Sequence, residues 1–325
     1  MAQGESDLIA RHFTQRGAHR EDVLQGVGDD GALVAVSPDA TLVLATDTLV
    51  EDVHFPAGID ARFIGHRALA VNLSDLAAMG AEPAWALLAL TLPTVDEHWL
   101  AGFSAGLDGL ARRFGVALVG GDTTRGPLTA TVSLAGTVPA GQAILRDGAR
   151  PGDDLWISGT PGDAAAGLAV IQGRLPAQGR ARDALLRRFQ LPEARVTLGI
   201  ALRGIATACI DVSDGLAGDL AKLCAASGVG ADVESRELPL SAGLCSVAAL
   251  DARLAFALGG GDDCELLFTA AAADRARISA LDAGVVLRRI GAISETAGVR
   301  IDGAPPERDV GHGFDHFAER PRSSR

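Results

Sequence analysis

Six acidic clusters carry the chemistry of this chain, each in a Gly-, Ser- or Thr-rich setting beside an apolar run. They are Gly28-Asp29-Asp30, Thr46-Asp47-Thr48, Ser74-Asp75, Gly120-Gly121-Asp122, Asp211-Val212-Ser213-Asp214 and Gly261-Asp262-Asp263. Aspartate is a poor residue for strand or helix interiors, so its repeated placement predicts side chains at strand ends, gathered at one site. Two carboxylates about 4 Å apart repel by roughly 4 kcal/mol at a surface-like dielectric. Several together require a compensating cation. Each cluster alone also has a plain reading as a turn or helix cap, as for Asp214 ahead of a helix from Leu216. Turn chemistry does not, however, demand doublets and Gly-Gly-Asp settings so often.

The clusters hold no Cys and hardly any His, which disfavours zinc, copper and iron and favours a hard divalent cation on oxygen ligands. Magnesium is the first candidate. It rarely sits in an all-protein cage and usually bridges one or two carboxylates to phosphate oxygens, so a nucleotide is its natural companion.

The bulk properties narrow the partners. The chain has 325 residues, 48% hydrophobic and 22% charged, enough for two domains of ordinary size. A net charge of -12 argues against a nucleic-acid or membrane-surface binder, which needs a basic face. The single lysine, Lys222, lies in Asp219-Leu220-Ala221-Lys222-Leu223 and supplies no P-loop, and the usual protein-kinase motifs are absent. Phosphate must therefore be met by metals, arginines and backbone N–H groups. Cys209, Cys224, Cys245 and Cys264 form no Cys-x-x-Cys pair. With no signal peptide read at Met1 to Glu5 and no apolar stretch of spanning length, the expectation is a reduced cytoplasmic protein.

Periodicity places these clusters on a mixed α/β chain. Helices are predicted over Glu5 to Gly17, Asp60 to Met79, Val95 to Phe114, Leu191 to Ile205, Leu216 to Ser227 and Asp274 to Ala283. In the second of these, Phe63, Ile64, Ala68, Val71 and Leu76 form one apolar side. Strands are predicted over Ala32 to Val36, Thr41 to Ala45, Ala84 to Leu92, Val116 to Val119, Leu128 to Val138, Asp154 to Ser158, Ala208 to Val212, Leu254 to Ala257, Glu265 to Thr269 and Val285 to Ile290. A Gly-, Arg- and Pro-rich connector over 141–153 divides domain 1–140 from domain 154–325. The turn Gly159-Thr160-Pro161-Gly162 reads either as a cap of the Ala-rich helix behind it or as a set of N–H groups for an anion.

Three side chains stay open on spacing alone. Arg146, in the connector, either reaches a cleft as a bidentate phosphate contact or is a solvated surface arginine. His54 either donates to a substrate phosphate or packs in a loop. Phe314 packs in the tail unless that tail folds back over a ligand.

The series Gly28-Asp29-Asp30, Thr46-Asp47-Thr48-Leu49-Val50 with His54-Phe55, Asn72-Leu73-Ser74-Asp75-Leu76-Ala77-Ala78-Met79-Gly80-Ala81, Gly120-Gly121-Asp122-Thr123-Thr124 and Asp211-Val212-Ser213-Asp214-Gly215-Leu216 resembles the thiamine-monophosphate kinases, as does the ending Gly313-Phe314-Asp315-His316-Phe317. The resemblance runs in order over nearly the whole chain. It implies the two-domain α/β (α+β) fold of aminoimidazole ribonucleotide synthetase, with mixed sheets flanked by helices and N-terminal domains pairing in a homodimer. It also implies transfer of the γ-phosphoryl group of ATP to thiamine monophosphate.

Carried over by position, the resemblance makes Asp30, Thr46, Asp47, Asp75, Asp122 and Asp211 magnesium ligands, with Ala45 contributing its carbonyl and Asp214 holding a further ion. Gly121, Asp122, Arg146 and Ser213 would meet ATP. His54, Asp262 and Phe314 would meet the thiamine phosphate. The chain departs from the family pattern at Asp262, where Glu is usual, at Cys264, where Tyr or Phe is usual, and at Phe314, where Tyr or Trp is usual. Two other readings remain: a different ATP-using enzyme of the superfamily, of selenophosphate or purine-synthesis type, and a non-catalytic divalent-metal-binding subunit.

Overall fold

The computed structural model describes residues 5–306. Helix α1 (Glu5–His12) leads into a small antiparallel pair, β1 (Val23–Gln25) and β2 (Leu33–Val34). The first large unit follows as β3 (Ala40–Val50), α2 (Ala61–Ala78), β4 (Glu82–Leu92), α3 (Glu97–Arg113), β5 (Ala117–Arg125) and β6 (Thr129–Pro139). Its sheet runs β3-β6-β4-β5, antiparallel except for the parallel β4–β5 pair. Asp60 and Asp96 cap α2 and α3 by accepting from Arg62 N at 2.8 Å and from His98 N at 2.9 Å, as short oxygen-bearing side chains do at helix starts.

The second sheet has the order β12-β9-β11-β7-β10-β8. In chain order its unit comprises β7 (Asp154–Ser158), α4 (Asp163–Ile171), α5 (Gly179–Gln190), α6 (Val196–Ala201), β8 (Ala206–Val212), α7 (Leu216–Ser227) and β9 (Gly230–Val233). It continues with α8 (Ala242–Val247), α9 (Leu250–Gly259), β10 (Glu265–Ala270), α10 (Arg275–Ser279), β11 (Leu287–Ser294) and β12 (Gly298–Ile301). Among the described residues no helix is long and apolar enough to cross a membrane.

Helix α2 holds the two units together. One side packs on α3 and the inner face of the first sheet; another packs on α6, β8 and β10. The expected single apolar side is therefore replaced by burial nearly all round, the pattern of a helix inside a core. Gly199 allows the approach of α6, because a Cβ there would lie 1.9 Å from the Ala77 carbonyl oxygen. A continuous cluster runs from Leu69 and Leu73 through Leu198 and Leu202 to Leu266 and Phe268.

Further sequence expectations change, and the helix expected over Leu191 to Ile205 is confined to Val196–Ala201. Leu254 to Ala257 lies inside α9, where Leu250, Leu254, Ala257 and Leu258 follow helical spacing that a four-residue apolar run does not reveal. Several acidic residues also lie inside regular elements instead of at strand ends: Asp47 in β3, Asp75 in α2, Asp122 in β5 and Asp211 in β8. Asp30, Asp214 and Asp262 are the expected site aspartates that sit in loops.

Candidate active site

Alternation along β3 sorts its residues onto two faces. Val43 and Leu49 are buried on the inner face, and half-buried Ala45 and Asp47 share their parity. Leu42, Leu44, Thr46 and Thr48 are exposed on the outer face. Asp47 thus faces α2, where Asp75 donates a hydrogen bond to its carboxylate. Asp211, at the end of β8, is buried and accepts from the Ser74 hydroxyl at 2.7 Å. Carboxylates from a strand, a helix and the second sheet converge around this helix.

Burial and mutual proximity raise the pKa of all three carboxyls. Burial, then the charges of Asp211 and Asp47, push Asp75 up to about 8, with Arg146 opposing. Burial raises Asp211 to about 6 against the Ser74 hydrogen bond, and Asp219 and Asp47 add to the rise. Asp47 is raised too, first by burial and further by Asp214, while Asp75 and His54 oppose. A cavity of about 560 Å³ opens here, lined by Ala45, Asp75, Arg146, Asp147, Cys209 and Asp211 among others. Burial drives the Cys209 pKa far up, so its sulfur stays a thiol and leaves the chemistry to oxygen.

A larger cavity of about 1020 Å³ covers the outer face of the first sheet. Asp29, Asp30, Thr46, Gly121 and Asp122 line it together with Leu42, Leu44, Trp85 and Leu87. Ala45 and Leu44 line both cavities, so β3 forms the wall between them. As neighbours on one strand, Thr46 and Asp47 point their side chains apart, and the Thr46 hydroxyl donates to Ser133 at 3.0 Å. Gly121 is required where it stands: its φ is +150° and a Cβ would meet the Leu88 carbonyl oxygen at 1.9 Å. Among the described residues no three His, Cys, Asp or Glu side chains form a ready-made metal cage. An open set of carboxylates completed by water and phosphate oxygens suits magnesium, and β3, an edge strand, carries alternate carbonyls without a neighbouring strand.

Two loops of the second unit close the site. Asp219 of α7 folds back and accepts the N–H groups of Ser213, Asp214 and Gly215 at 3.0, 3.0 and 3.2 Å. The residue before the helix is Gly215, so Asp214 is not its cap. Lys222 instead bridges Asp214 at 2.5 Å and Asp219 at 2.8 Å. Beside this loop runs Gly260–Cys264, whose Asp262 N donates to Ser213 O at 2.9 Å. Asp262 and Cys264 have φ of +68° and +53°, each a strain of order 1–3 kcal/mol for a residue with a side chain.

His54 and Asp262 meet through Arg67. The Arg67 Nη2 donates to the His54 carbonyl at 3.4 Å and pairs with Asp262 Oδ1 at 3.1 Å. The His54 Nδ1 accepts from Val50 N at 3.0 Å, which leaves the proton of a neutral ring on Nε2. Phe314 lies outside the described residues, as does the motif around it.

Asp263 departs from its neighbour and leaves the site. Its carboxyl is buried against the start of α4, accepting from Gly162 N at 2.5 Å and Ala164 N at 3.1 Å. The acceptor at the Gly159-to-Gly162 turn is thus the protein's own carboxyl, and burial lifts it to about 8 against Arg188 and these N–H groups. Sequence reasoning missed Arg67 and Asp219 and gave Ser74 no role of its own. Arg67 had a signal, a charged residue among the apolar positions of α2. The tertiary partners of Ser74 and Asp219 had none.

Residues 28–138 match the family described as AIR synthase related protein, N-terminal domain, and residues 150–303 match its C-terminal counterpart. The chain is similar to the thiamine-monophosphate kinase of Salmonella typhimurium, with 47% identity over 98% of this chain and 99% of that protein. A crystal structure of thiamine-monophosphate kinase from Stenotrophomonas maltophilia aligns with a TM-score of 0.85 at 47% identity, over 89% of this chain and 93% of the other. A structure described as AaThiL complexed with AMPPCP and TMP aligns with a TM-score of 0.78 at 32% identity, over 90% of this chain and 92% of the other.

Proposed function

We infer the activity from one fact: this chain belongs to the thiamine-monophosphate kinase family. It transfers the γ-phosphoryl group of ATP to the phosphate of thiamine monophosphate, giving thiamine diphosphate and ADP. An acceptor phosphate oxygen attacks the γ-phosphorus in line. The new P–O bond forms as the bond to the β–γ bridging oxygen breaks, and that electron pair leaves with ADP. The acceptor is already ionised, so no strong general base is needed and the task is alignment and charge neutralisation. No phospho-enzyme forms.

Asp30, the Ala45 carbonyl, Thr46, Asp47, Asp75, Asp122 and Asp211 would hold magnesium, with Asp214 on a further ion. Bound there, the ions neutralise the phosphates of both substrates. The observation that carries this assignment is the convergence of Asp47, Asp75 and Asp211 around α2, where burial first and neighbouring carboxylates second raise the pKa of all three. Gly121, Asp122, Arg146 and Ser213 are assigned to ATP. Arg146, on the smaller cavity, supplies positive charge beside Asp75 and Asp211. His54 and Asp262, joined by Arg67, are assigned to the acceptor with Phe314.

The working division is 1–140, 141–153 and 154–325, and the working state is a homodimer through the outer face of the first sheet. Exposed Leu42, Leu44 and Leu87 support that face, at 44%, 73% and 46%. Four free cysteines support a reducing cytoplasm, and the net charge of -12 supports a role apart from nucleic acid and membranes. Incubation of the purified chain with ATP, magnesium and thiamine monophosphate, followed by phosphorus NMR, should give thiamine diphosphate and ADP in equal amounts. ADP release without thiamine diphosphate would refute the acceptor.

A further inference from the structure

Arg67 is 1% exposed, and its Nε is buried with no hydrogen-bond partner among the described residues. A guanidinium in such a place is costly unless its position is used, and an apolar side chain would fill the α2 interior with less penalty. What the arginine does there is specific. Its Nη1 donates to Phe189 O at 2.5 Å and its Cζ lies 4.2 Å from the Phe189 ring centroid, so the head group is clamped from the second unit. Its Nη2 is shared between the His54 carbonyl of the first unit and the Asp262 carboxylate of the second.

We propose that Arg67 is the positioning residue of the acceptor half of the cleft, tying the His54 and Asp262 loops into one recognition surface. This rests on the assignment of those two residues to thiamine monophosphate. Asp262 is held at three points: its left-handed backbone, its N–H on Ser213 and its Oδ1 on Arg67. Its side chain is 35% exposed, so a carboxylate of set orientation is offered to the cleft. The thiazolium of the acceptor bears a fixed positive charge that such a carboxylate suits. The Asp side chain is one methylene shorter than Glu, which leaves less play in its reach and makes its orientation matter more. Arg67 meets the carboxylate and the carbonyl at once from a planar head. A lysine ammonium offers a single point on a flexible stem.

The test is a steady-state comparison of Arg67→Lys, Arg67→Met, Asp262→Ala and the double variant Arg67→Met/Asp262→Ala, each with KM for thiamine monophosphate, KM for ATP, kcat and melting temperature. Arg67→Lys should raise the acceptor KM about tenfold, the effect of one charge-assisted contact, and leave the ATP KM within about twofold. In the Asp262→Ala background Arg67→Met should raise the acceptor KM by less than it does alone, because only the tie to the His54 carbonyl remains to be lost. A purely structural role predicts a lower melting temperature with the two KM values unchanged or rising together, and either result overturns the proposal, as does multiplication of the two single effects. Should Arg67→Met not fold, the Lys variant alone decides by the KM split. Wild-type protein that makes no thiamine diphosphate sinks the proposed acceptor itself, whereas an active wild type with an unchanged acceptor KM in Asp262→Ala removes Asp262, and with it Arg67, from recognition.

Discussion

Replacing Asp75 by Asn separates the electrostatic cost of the site from its use. Burial and the neighbouring Asp211 and Asp47 raise the Asp75 carboxyl from its ordinary 3.8 to about 8 on folding. At about 1.36 kcal/mol per unit, the ionised form costs at most about 5–6 kcal/mol without metal, and partial exposure and relaxation reduce this to about 2–4 kcal/mol. The sign follows from proton counting. Between pH 4 and 8 the folded state binds the Asp75 proton and the unfolded state does not, so stability is highest below this window and falls as pH rises through it. Asn removes that slope while its Nδ2 can still donate to Asp47. In EDTA at pH 9, Asp75→Asn should therefore melt roughly 5–10 °C above wild type, and the difference should shrink at pH 5. Magnesium should raise the wild-type melting temperature and leave the variant nearly unmoved, and turnover in the variant should drop at least about a hundredfold. Equal pH slopes for the two proteins in EDTA would refute the reasoning.

Glu265 is fully buried between Ser158, Arg188 and Arg195, and its pKa lies below the ordinary value because the arginines outweigh burial. Glu265→Gln should cost about 3–5 kcal/mol in denaturant unfolding, because two largely buried arginines lose their fully buried counter-charge. Gly199→Val drives a side chain into the Ala77 carbonyl and should cost at least about 2 kcal/mol, read as a lower unfolding midpoint. Leu44→Asp places a charge on the outer face of the first sheet and should shift sedimentation from dimer to monomer without unfolding the chain; an unmoved sedimentation coefficient would rule out that face.

The acidic clusters and the helix carrying Ser74 and Asp75 were legible because their local chemistry is unusual: doublets beside glycine, and an anion near the end of a helix where the dipole disfavours it. Their division between two cavities was not. It depends on strand alternation through Thr46 and Asp47, and a reading that ends the strand at Ala45 cannot see it. Asp262 and Asp263 are adjacent and chemically identical, yet one pairs with Arg67 and the other caps α4, a choice made by left-handed backbone at Asp262 and Cys264. Arg67 was visible as an exception to the apolar pattern, but its partners come from positions 54, 189 and 262, which only tertiary packing brings together.

Helix α2 carries Arg67 and, seven and eight residues on, Ser74 and Asp75, so roughly 12 Å of rigid rod separates the pin on the acceptor side from the acid on the metal side. With almost no solvent face, that rod has nowhere to absorb an inserted residue. A single insertion between the two would rotate one end by about 100° against the other and derange both ends of the cleft together. Drift in the length of this segment should therefore be tolerated far less than drift in its composition.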